Sequence, residues 1–325
     1  MERKYHIFEA KINKRIAELD FFSEPKRLYE PIDYILSIGG KRLRPVLLLM
    51  SNELFSGNIN KAVSAAIGIE VFHNFTLLHD DVMDNASIRR NQTTVHTKWD
   101  INTAILSGDA MAIKAYEFIA DCDEKYIKSV LKVFNKVALQ VCEGQQFDMD
   151  FEDKDDVTVE QYMNMIKLKT AVLIAGGIKI GAILAGASLE DSEYLYKFGE
   201  NIGIAFQLQD DYLDVYGNVD VFGKQIGGDI ISNKKTFLLV NTLEIAGEVD
   251  KKELLKWIYA DDFDPKEKIK AVTELYNNQN IKELTKLKMN EYLERALLEL
   301  KKVSVGEEAK IELEDIARKL TERIS

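Results

Sequence analysis

Apolar residues recur at three- and four-residue steps through most of this chain, and sustained alternation of apolar and polar positions is missing. The pattern predicts a nearly all-helical protein. Breaks are expected at Gly39-Gly40, Gly57-Asn58, Asn85 to Thr94, Asp153 to Asp156, Gly217-Asn218 and Gly227-Gly228, where glycine and short polar residues interrupt the periodicity. Pro45 suits the first turn of the helix carrying Val46 to Met50, where its missing N–H has no intrahelical partner to lose. Two long segments, Lys61 to Asp84 and Ser192 to Tyr216, read as buried helices with polar ends. Both finish on the same signature: Asp80-Asp81-Val82-Met83-Asp84 in the first, Asp210-Asp211-Tyr212-Leu213-Asp214 in the second. The longest apolar stretch, Ala171 to Ala187, is interrupted by Lys179 and several glycines, so it reads as a buried helix and not as a membrane span. From Asp250 to Ser325, Lys and Glu on helical spacing read as solvated outer faces.

Composition narrows the class. The 325 residues are 46% hydrophobic and 30% charged, the make-up of a soluble globular protein with a sizeable core. Four prolines and no linker-like tract mark no seam, so residues 1–325 are expected to form a single domain. A formal net charge of -11 argues against a nucleic-acid partner. Cys122 and Cys142 are too few for a disulfide framework and lack metal-ligand spacing. The first residues, Met1-Glu2-Arg3-Lys4, open no continuous apolar run of the signal-peptide kind, and a cytoplasmic protein is expected.

The paired carboxylates carry the chemistry. Positions four apart share a helix face about 6 Å apart along the axis, so Asp80 lies with Asp84 and Asp210 with Asp214. Like charges one turn apart repel, more so when partly buried, and a bound cation is the natural remedy. An acidic protein can carry such clusters as plain solvated surface. At this chain's aspartate frequency, however, the DDxxD pattern arises by chance only about 0.15 times. The preceding turns are also apolar, with Val71, Phe72, Phe75, Leu77 and Leu78 in one case and Ile202, Ile204, Phe206 and Leu208 in the other. Oxygen ligands suit Mg²⁺ better than zinc, and Mg²⁺ shares its sphere with substrate phosphates. The inferred ligand is a diphosphate, and six carboxylates facing a polyanion require several divalent ions.

Basic groups follow the same segments. They are Lys41, Arg42 and Arg44 after Gly39-Gly40, Arg89-Arg90 beyond the first acidic cluster, Lys169-Thr170, Lys224, and Lys234-Lys235. Each alone is ordinary solubilising surface. Their placement at the ends of apolar segments is what fits a phosphate grip.

Together these residues resemble the trans-type polyprenyl diphosphate synthases, the family of the farnesyl and geranylgeranyl diphosphate synthases. GGKRLRP, HNFTLLHDDVMD, SIRRNQTTVH, LKTAVLI, FQLQDDYLD and FGKQIGGDIISNKKT fall in that family's order and approximate spacing over most of the chain. The departure is Asn91-Gln92-Thr93, where the family usually has Gly and Pro. The resemblance implies an all-α bundle of about ten or more helices around a deep central cavity, of the isoprenoid synthase type, assembled as a homodimer. It implies Mg²⁺-dependent condensation of isopentenyl diphosphate with an allylic diphosphate, with about three Mg²⁺ ions per site. By the same resemblance Asp80, Asp84 and Asp210 are metal ligands supported by Asp81, Asp211 and Asp214. Arg89, Lys169, Lys224 and Lys234 grip the allylic diphosphate. Lys41, Arg44, His73 and Arg90 form the isopentenyl diphosphate pocket, and Thr170 and Gln207 face the reacting carbons. Helical steps agree: His73, Leu77, Asp80 and Asp84 make one stripe, and Gly203, Gln207, Asp210 and Asp214 another. Two such stripes across a cavity would make the site. Phe75 and Thr76, five and four positions before Asp80, match the pattern that favours a C20 product over C15. A class I terpene cyclase would ionise the same kind of substrate but would not need Lys41, Arg44 and Arg90. A non-catalytic regulatory subunit would be expected to have lost carboxylates or lysines.

Overall fold

The helical periodicity is realised almost throughout. The structure, a computed structural model, describes residues 2–21, 23–217 and 226–322. In chain order it places α1 (Glu2–Ala17), α2 (Lys26–Ser37), α3 (Leu43–Leu54), α4 (Ile59–Met83), the short strands β1 (Ile88–Arg89) and β2 (Gln92–Thr93), α5 (Val95–Lys98), α6 (Ile101–Ala120), α7 (Glu124–Glu152) and α8 (Val159–Ile166). A π-helical turn, Lys167–Ala171, leads into α9 (Val172–Leu184). Then come α10 (Leu189–Tyr216), α11 (Gly228–Ile231), α12 (Phe237–Ile245), α13 (Glu248–Ile258), α14 (Pro265–Asn278), α15 (Ile281–Lys301) and α16 (Glu307–Glu322). β1 and β2 form the only sheet among the described residues. No described helix is long and apolar enough to cross a membrane.

The helix starts are written locally. The Asn58 side chain accepts from the Asn60 N–H ahead of α4, Asp100 from Thr103 ahead of α6, and Thr236 from Leu239 ahead of α12. Thr158 and Gln161 form a reciprocal capping box on α8. Caps of this kind each stabilise a helix by about 0.5–2 kcal/mol.

The chain divides into two compact units. The first comprises Met1–Asn135, Gly176–Leu195 and Ser304–Ala309, the second Lys136–Ala175, Tyr196–Val303 and Lys310–Ser325. In the first unit α4 packs on α3 and α6, with Leu47, Leu48, Leu49, Ile67, Ile69 and Val71 buried. α4 is buried on nearly every side because neighbours cover it, which is why it shows almost no amphipathic stripe. In the second unit Tyr162, Met165, Leu208, Tyr212, Phe237 and Met289 form a core shared by α8, α10, α12 and α15. A further cluster around Leu238, Leu254, Val272 and Ile281 packs α12, α13, α14 and the start of α15.

Candidate active site

The first acidic signature closes α4. Asp84 is its C-terminal cap residue and donates its N–H to the Asp80 carbonyl at 2.8 Å. Asp80 is half-buried and Asp84 exposed. Asp81 turns inward, 3% exposed, and accepts from Arg89 Nε at 2.7 Å. Burial pushes the Asp81 carboxyl above the usual aspartate range, and the Arg89 guanidinium pulls it back. The middle carboxylate therefore ties Arg89 and β1 to the helix end.

β1 and β2 pair antiparallel, Ile88 opposite Thr93 and Arg89 opposite Gln92. The two residues between them, Arg90 and Asn91, have φ of 50° and 61°. Positive φ at both central positions is what a two-residue type I′ hairpin turn requires, and asparagine tolerates it well. Asn91-Gln92-Thr93 thus builds a tight hairpin. Arg90 reaches back from this turn to donate to the Gly39 carbonyl. Only glycine serves at position 40, where φ is 145° and an added Cβ would lie 2.8 Å from Arg90 Nη1.

Arg44, in the first turn of α3, meets His73 of α4, its Nη1 lying 3.1 Å from His73 Nε2. Burial, then the charges of Arg44, Arg90, Arg89 and Arg42, hold the His73 pKa well below the ordinary histidine value. His73 is consequently neutral near pH 7 and offers Arg44 an acceptor nitrogen. An imidazole kept neutral by burial and by the charges of four guanidinium groups lies in a region of positive potential, the setting an anionic ligand needs. Lys41, exposed on the glycine loop, belongs to the same unit. Before the acidic residues on α4, Phe75 packs at a tilt against Phe72 and edge-on against His79, with ring centroids 5.3 and 4.8 Å apart. Thr76 is half-buried and bonds its hydroxyl to the His73 carbonyl.

The second signature lies in the last turns of α10, in the other unit. Asp210 is exposed and Asp214 half-buried. Asp211 is 4% exposed and accepts from three donors: the Tyr162 hydroxyl, the Phe237 N–H at 2.9 Å and Gln207 Nε2 at 3.1 Å. Burial and the nearby Asp229 charge push Asp211 up to about 7, against the pull of those bonds. Because Gln207 gives its amide N–H to Asp211, its carbonyl oxygen is turned the other way. There it accepts from the Thr170 hydroxyl at 3.0 Å. Asp214 receives the Asp229 N–H on Oδ2 at 3.0 Å, and its carbonyl receives the Gly227 N–H at 2.7 Å. These bonds fold the one-turn helix α11 onto the end of α10. Lys234 follows α11, exposed, with its N–H on the Asp229 carbonyl. Lys224 lies outside the described residues.

Lys169 and Thr170 sit in the π-helical turn, whose extra residue widens the helix where they emerge. Two glycines admit that backbone. A Cβ on Gly144 of α7 would lie 2.2 Å from the Lys169 nitrogen, and one on Gly203 of α10 would lie 2.6 Å from Ala171 Cα. Lys169 Nζ donates to Asp148 of α7.

The structure brings Lys41, Arg44, His73, Arg89, Arg90 and the first acidic pair into one unit. Lys169, Thr170, Gln207, Lys234 and the second acidic pair lie in the other. Sequence reading missed Glu70, Asp148, Tyr162 and Asp229, which hold the anticipated residues in place. Gly144, isolated within a helical pattern, was the available signal for the close approach at Lys169.

Two acidic helix ends in a nearly all-helical chain, the first tied to Arg89, fit an enzyme class that handles diphosphate esters. The polyprenyl synthetase pattern matches residues 25–276. Among similar proteins, a geranylgeranyl diphosphate synthase of Methanosarcina mazei is 41% identical over 242 residues, 74% of each chain. A geranylfarnesyl diphosphate synthase of Natronomonas pharaonis is 39% identical over 74% of this chain and 75% of its own. A crystal structure of a geranylgeranyl pyrophosphate synthase superposes with a TM-score of 0.93 at 43% identity, covering 100% of this chain and 99% of the other. This chain belongs to the polyprenyl synthetase family, and it is a prenyltransferase.

Proposed function

We propose that this protein condenses isopentenyl diphosphate head-to-tail (1′-4) with an allylic diphosphate, with Mg²⁺, and releases diphosphate. The observation that carries this reading is the contact of Arg44 with His73, 3.1 Å apart, two helical turns before the first acidic pair, in a region where Arg90, Arg89 and Arg42 add positive charge; it supports an anion pocket in addition to a cation-assisted leaving-group site. A terpene cyclase has no use for that pocket.

Among the described residues no three carboxylate, His or Cys groups close on one point as a metal cage. The donors come instead as carboxylate pairs, which fits Mg²⁺, an ion held by one or two carboxylates with water and substrate phosphates. Asp80 and Asp84, and Asp210 and Asp214, would hold it, with Asp81 and Asp211 supporting through Arg89 and through Tyr162 and Gln207. When bound, the ions, about three per site, neutralise the charge that develops on the departing diphosphate.

In the reaction the allylic C–O bond breaks and its electron pair leaves with the diphosphate. The alkene of isopentenyl diphosphate attacks the allylic cation, a C–C bond forms, and the proton then lost goes to the released diphosphate. Arg89, Lys169, Lys224 and Lys234 hold the allylic diphosphate, Lys169 exchanging its contact with Asp148 for a phosphate oxygen. Lys41, Arg44, His73 and Arg90 orient the isopentenyl diphosphate. The lone pairs of Thr170 Oγ and Gln207 Oε1 stabilise the cation, Gln207 being turned correctly by Asp211.

A single catalytic domain over residues 1–325, a cytoplasmic location and a homodimer belong to the same proposal. Ile101, Ile105, Leu106, Ile113 and Tyr116 stand exposed on one side of α6, among Asn102 and Asp109, a mixed surface suited to a second copy. The favoured product is C20. Relatives near 40% identity carry names for both C20 and C25 synthases, and Phe75, wedged between Phe72 and His79, is the residue proposed to stop the growing chain.

The test is incubation with labelled isopentenyl diphosphate and C5, C10 or C15 primers, with Mg²⁺ or chelator, followed by product sizing. Chelator-sensitive elongation ending at C20 is expected. Release of hydrocarbon without elongation would reassign the site to a cyclase, and no turnover of any primer would favour a regulatory subunit.

A further inference from the structure

Lys41, Arg42 and Arg44 follow one glycine pair, yet the structure sorts them into two kinds. Lys41 is exposed and Arg44 is half-buried beside His73. Arg42 is turned inside, 4% exposed. Its Nη1 donates to Glu70 Oε1 at 2.7 Å, its Nη2 to the Leu36 carbonyl at 2.9 Å and its Nε to Asn13 Oδ1 at 3.0 Å. Those partners belong to α4, α2 and α1 respectively. Asn74 Nδ2 adds a bond to the same Glu70 oxygen at 3.1 Å. The Tyr5 hydroxyl of α1 donates to the carbonyl of Lys41, the residue just before.

The backbone at Arg42 is left-handed, φ 48° and ψ 33°, a conformation that L residues adopt only when their surroundings enforce it. Here the enforcing group is the residue's own guanidinium, a rigid fork whose bonds reach three separate helices. A buried ion pair is seldom more stabilising than well-packed apolar side chains of the same volume. What it supplies instead is a fixed geometry, and the geometry fixed here is that of the loop carrying Lys41 and Arg44.

We propose that Arg42, with Glu70, Asn13 and Tyr5, positions the isopentenyl diphosphate pocket and does not itself bind the substrate. Through this network the N-terminal helix α1 sets affinity for one of the two diphosphates and leaves the other untouched. The inference rests on the assignment of Lys41, Arg44, His73 and Arg90 to that pocket.

The experiment compares the unaltered protein with Tyr5→Phe, which removes one hydroxyl, and with the double variant Arg42→Met/Glu70→Leu, which keeps the buried volume but not the fork. KM is measured separately for isopentenyl diphosphate and the allylic primer, beside the thermal midpoint. KM for isopentenyl diphosphate is expected to rise about threefold in Tyr5→Phe and about tenfold or more in the double variant, with KM for the primer within about twofold. A purely structural role predicts otherwise: a double variant that melts like the parent would bind both substrates like the parent. Unmoved KM for isopentenyl diphosphate in Tyr5→Phe, or a parallel rise in both KM values, overturns the inference, and Tyr5→Phe decides alone if the double variant does not fold. Absence of elongation by the unaltered protein instead removes the pocket assignment and this inference with it.

Discussion

Replacing Gly144 by alanine tests whether the π-helical turn is held by close approach. The new Cβ would stand 2.2 Å from the Lys169 nitrogen, 2.6 Å from Lys169 Cα and 2.7 Å from the Leu168 carbonyl carbon, all of them backbone atoms that no rotamer change can move. To reach ordinary contact, α7 and the turn must part by about 1.2 Å at the nearest point. Overpacking of this kind costs about 1–3 kcal/mol, partly offset by about 1 kcal/mol of helix propensity gained when alanine replaces glycine. The net destabilisation is about 0–2 kcal/mol, or a midpoint lower by up to roughly 3 °C for a chain of this size. The functional effect should be larger, because the displaced atoms carry Lys169 and Thr170, and a shift near 1 Å at reacting groups costs up to about 100-fold in turnover. Gly177→Ala is the control. Its nearest contact would be 3.7 Å, so only the propensity gain of about 0.5–1 kcal/mol applies and the midpoint should rise. Calorimetric midpoints and steady-state elongation rates read both variants. If Gly144→Ala is stabilised as much as Gly177→Ala and turns over normally, the close-approach argument is wrong.

Other expectations follow from single groups. Asp80→Asn and Asp210→Asn should each lower kcat by about 100- to 1000-fold while leaving the circular dichroism spectrum intact, and a variant of normal rate would remove that carboxylate from the leaving-group site. His73 is held neutral, so its folded pKa lies below the unfolded value of about 6.5 and the unfolded chain binds the extra proton. Its contribution to stability is complete above about pH 6.5 and is lost as pH falls from there toward the folded pKa. Denaturant titrations at pH 8 and pH 5 should show this slope, and His73→Gln should flatten it. Phe75→Ala removes the ring between Phe72 and His79 and should lengthen the product beyond C20; an unchanged product ladder would place the floor of the chain cavity elsewhere.

The residues proposed to do the chemistry were legible in the chain because chemistry imposes spacing. Two carboxylates must lie one helical turn apart to act together, and a turn is fixed by the backbone, so Asp80 with Asp84 and Asp210 with Asp214 can be read without coordinates. The helices bearing them were equally plain, α4 beginning two residues and α10 three residues before the expected starts. The caps at Asn58 of α4 and Thr158 of α8, and the glycine break before α3, are local as well. The breaks at Asp121 to Asp123 and Ala185 to Ser188 escaped notice because one lacks glycine and the other lies in an apolar run that continues the pattern.

The supporting partners were not legible. Glu70 of α4 meets Arg42, Asp148 of α7 meets Lys169, and Tyr162 of α8 meets Asp211, pairs separated by about twenty to fifty positions with no periodicity to join them. Nor could the sequence distinguish like-charged neighbours such as Asp80 and Asp81, or Lys41 and Arg42, because which of each pair is buried depends on which side of the backbone the packing leaves open. A local pattern records torsion angles and faces. Which face becomes interior, and which charge there must find a partner, is decided by helices brought together from elsewhere in the chain, and that is why only the tertiary structure separates the groups left accessible from the buried groups that are held.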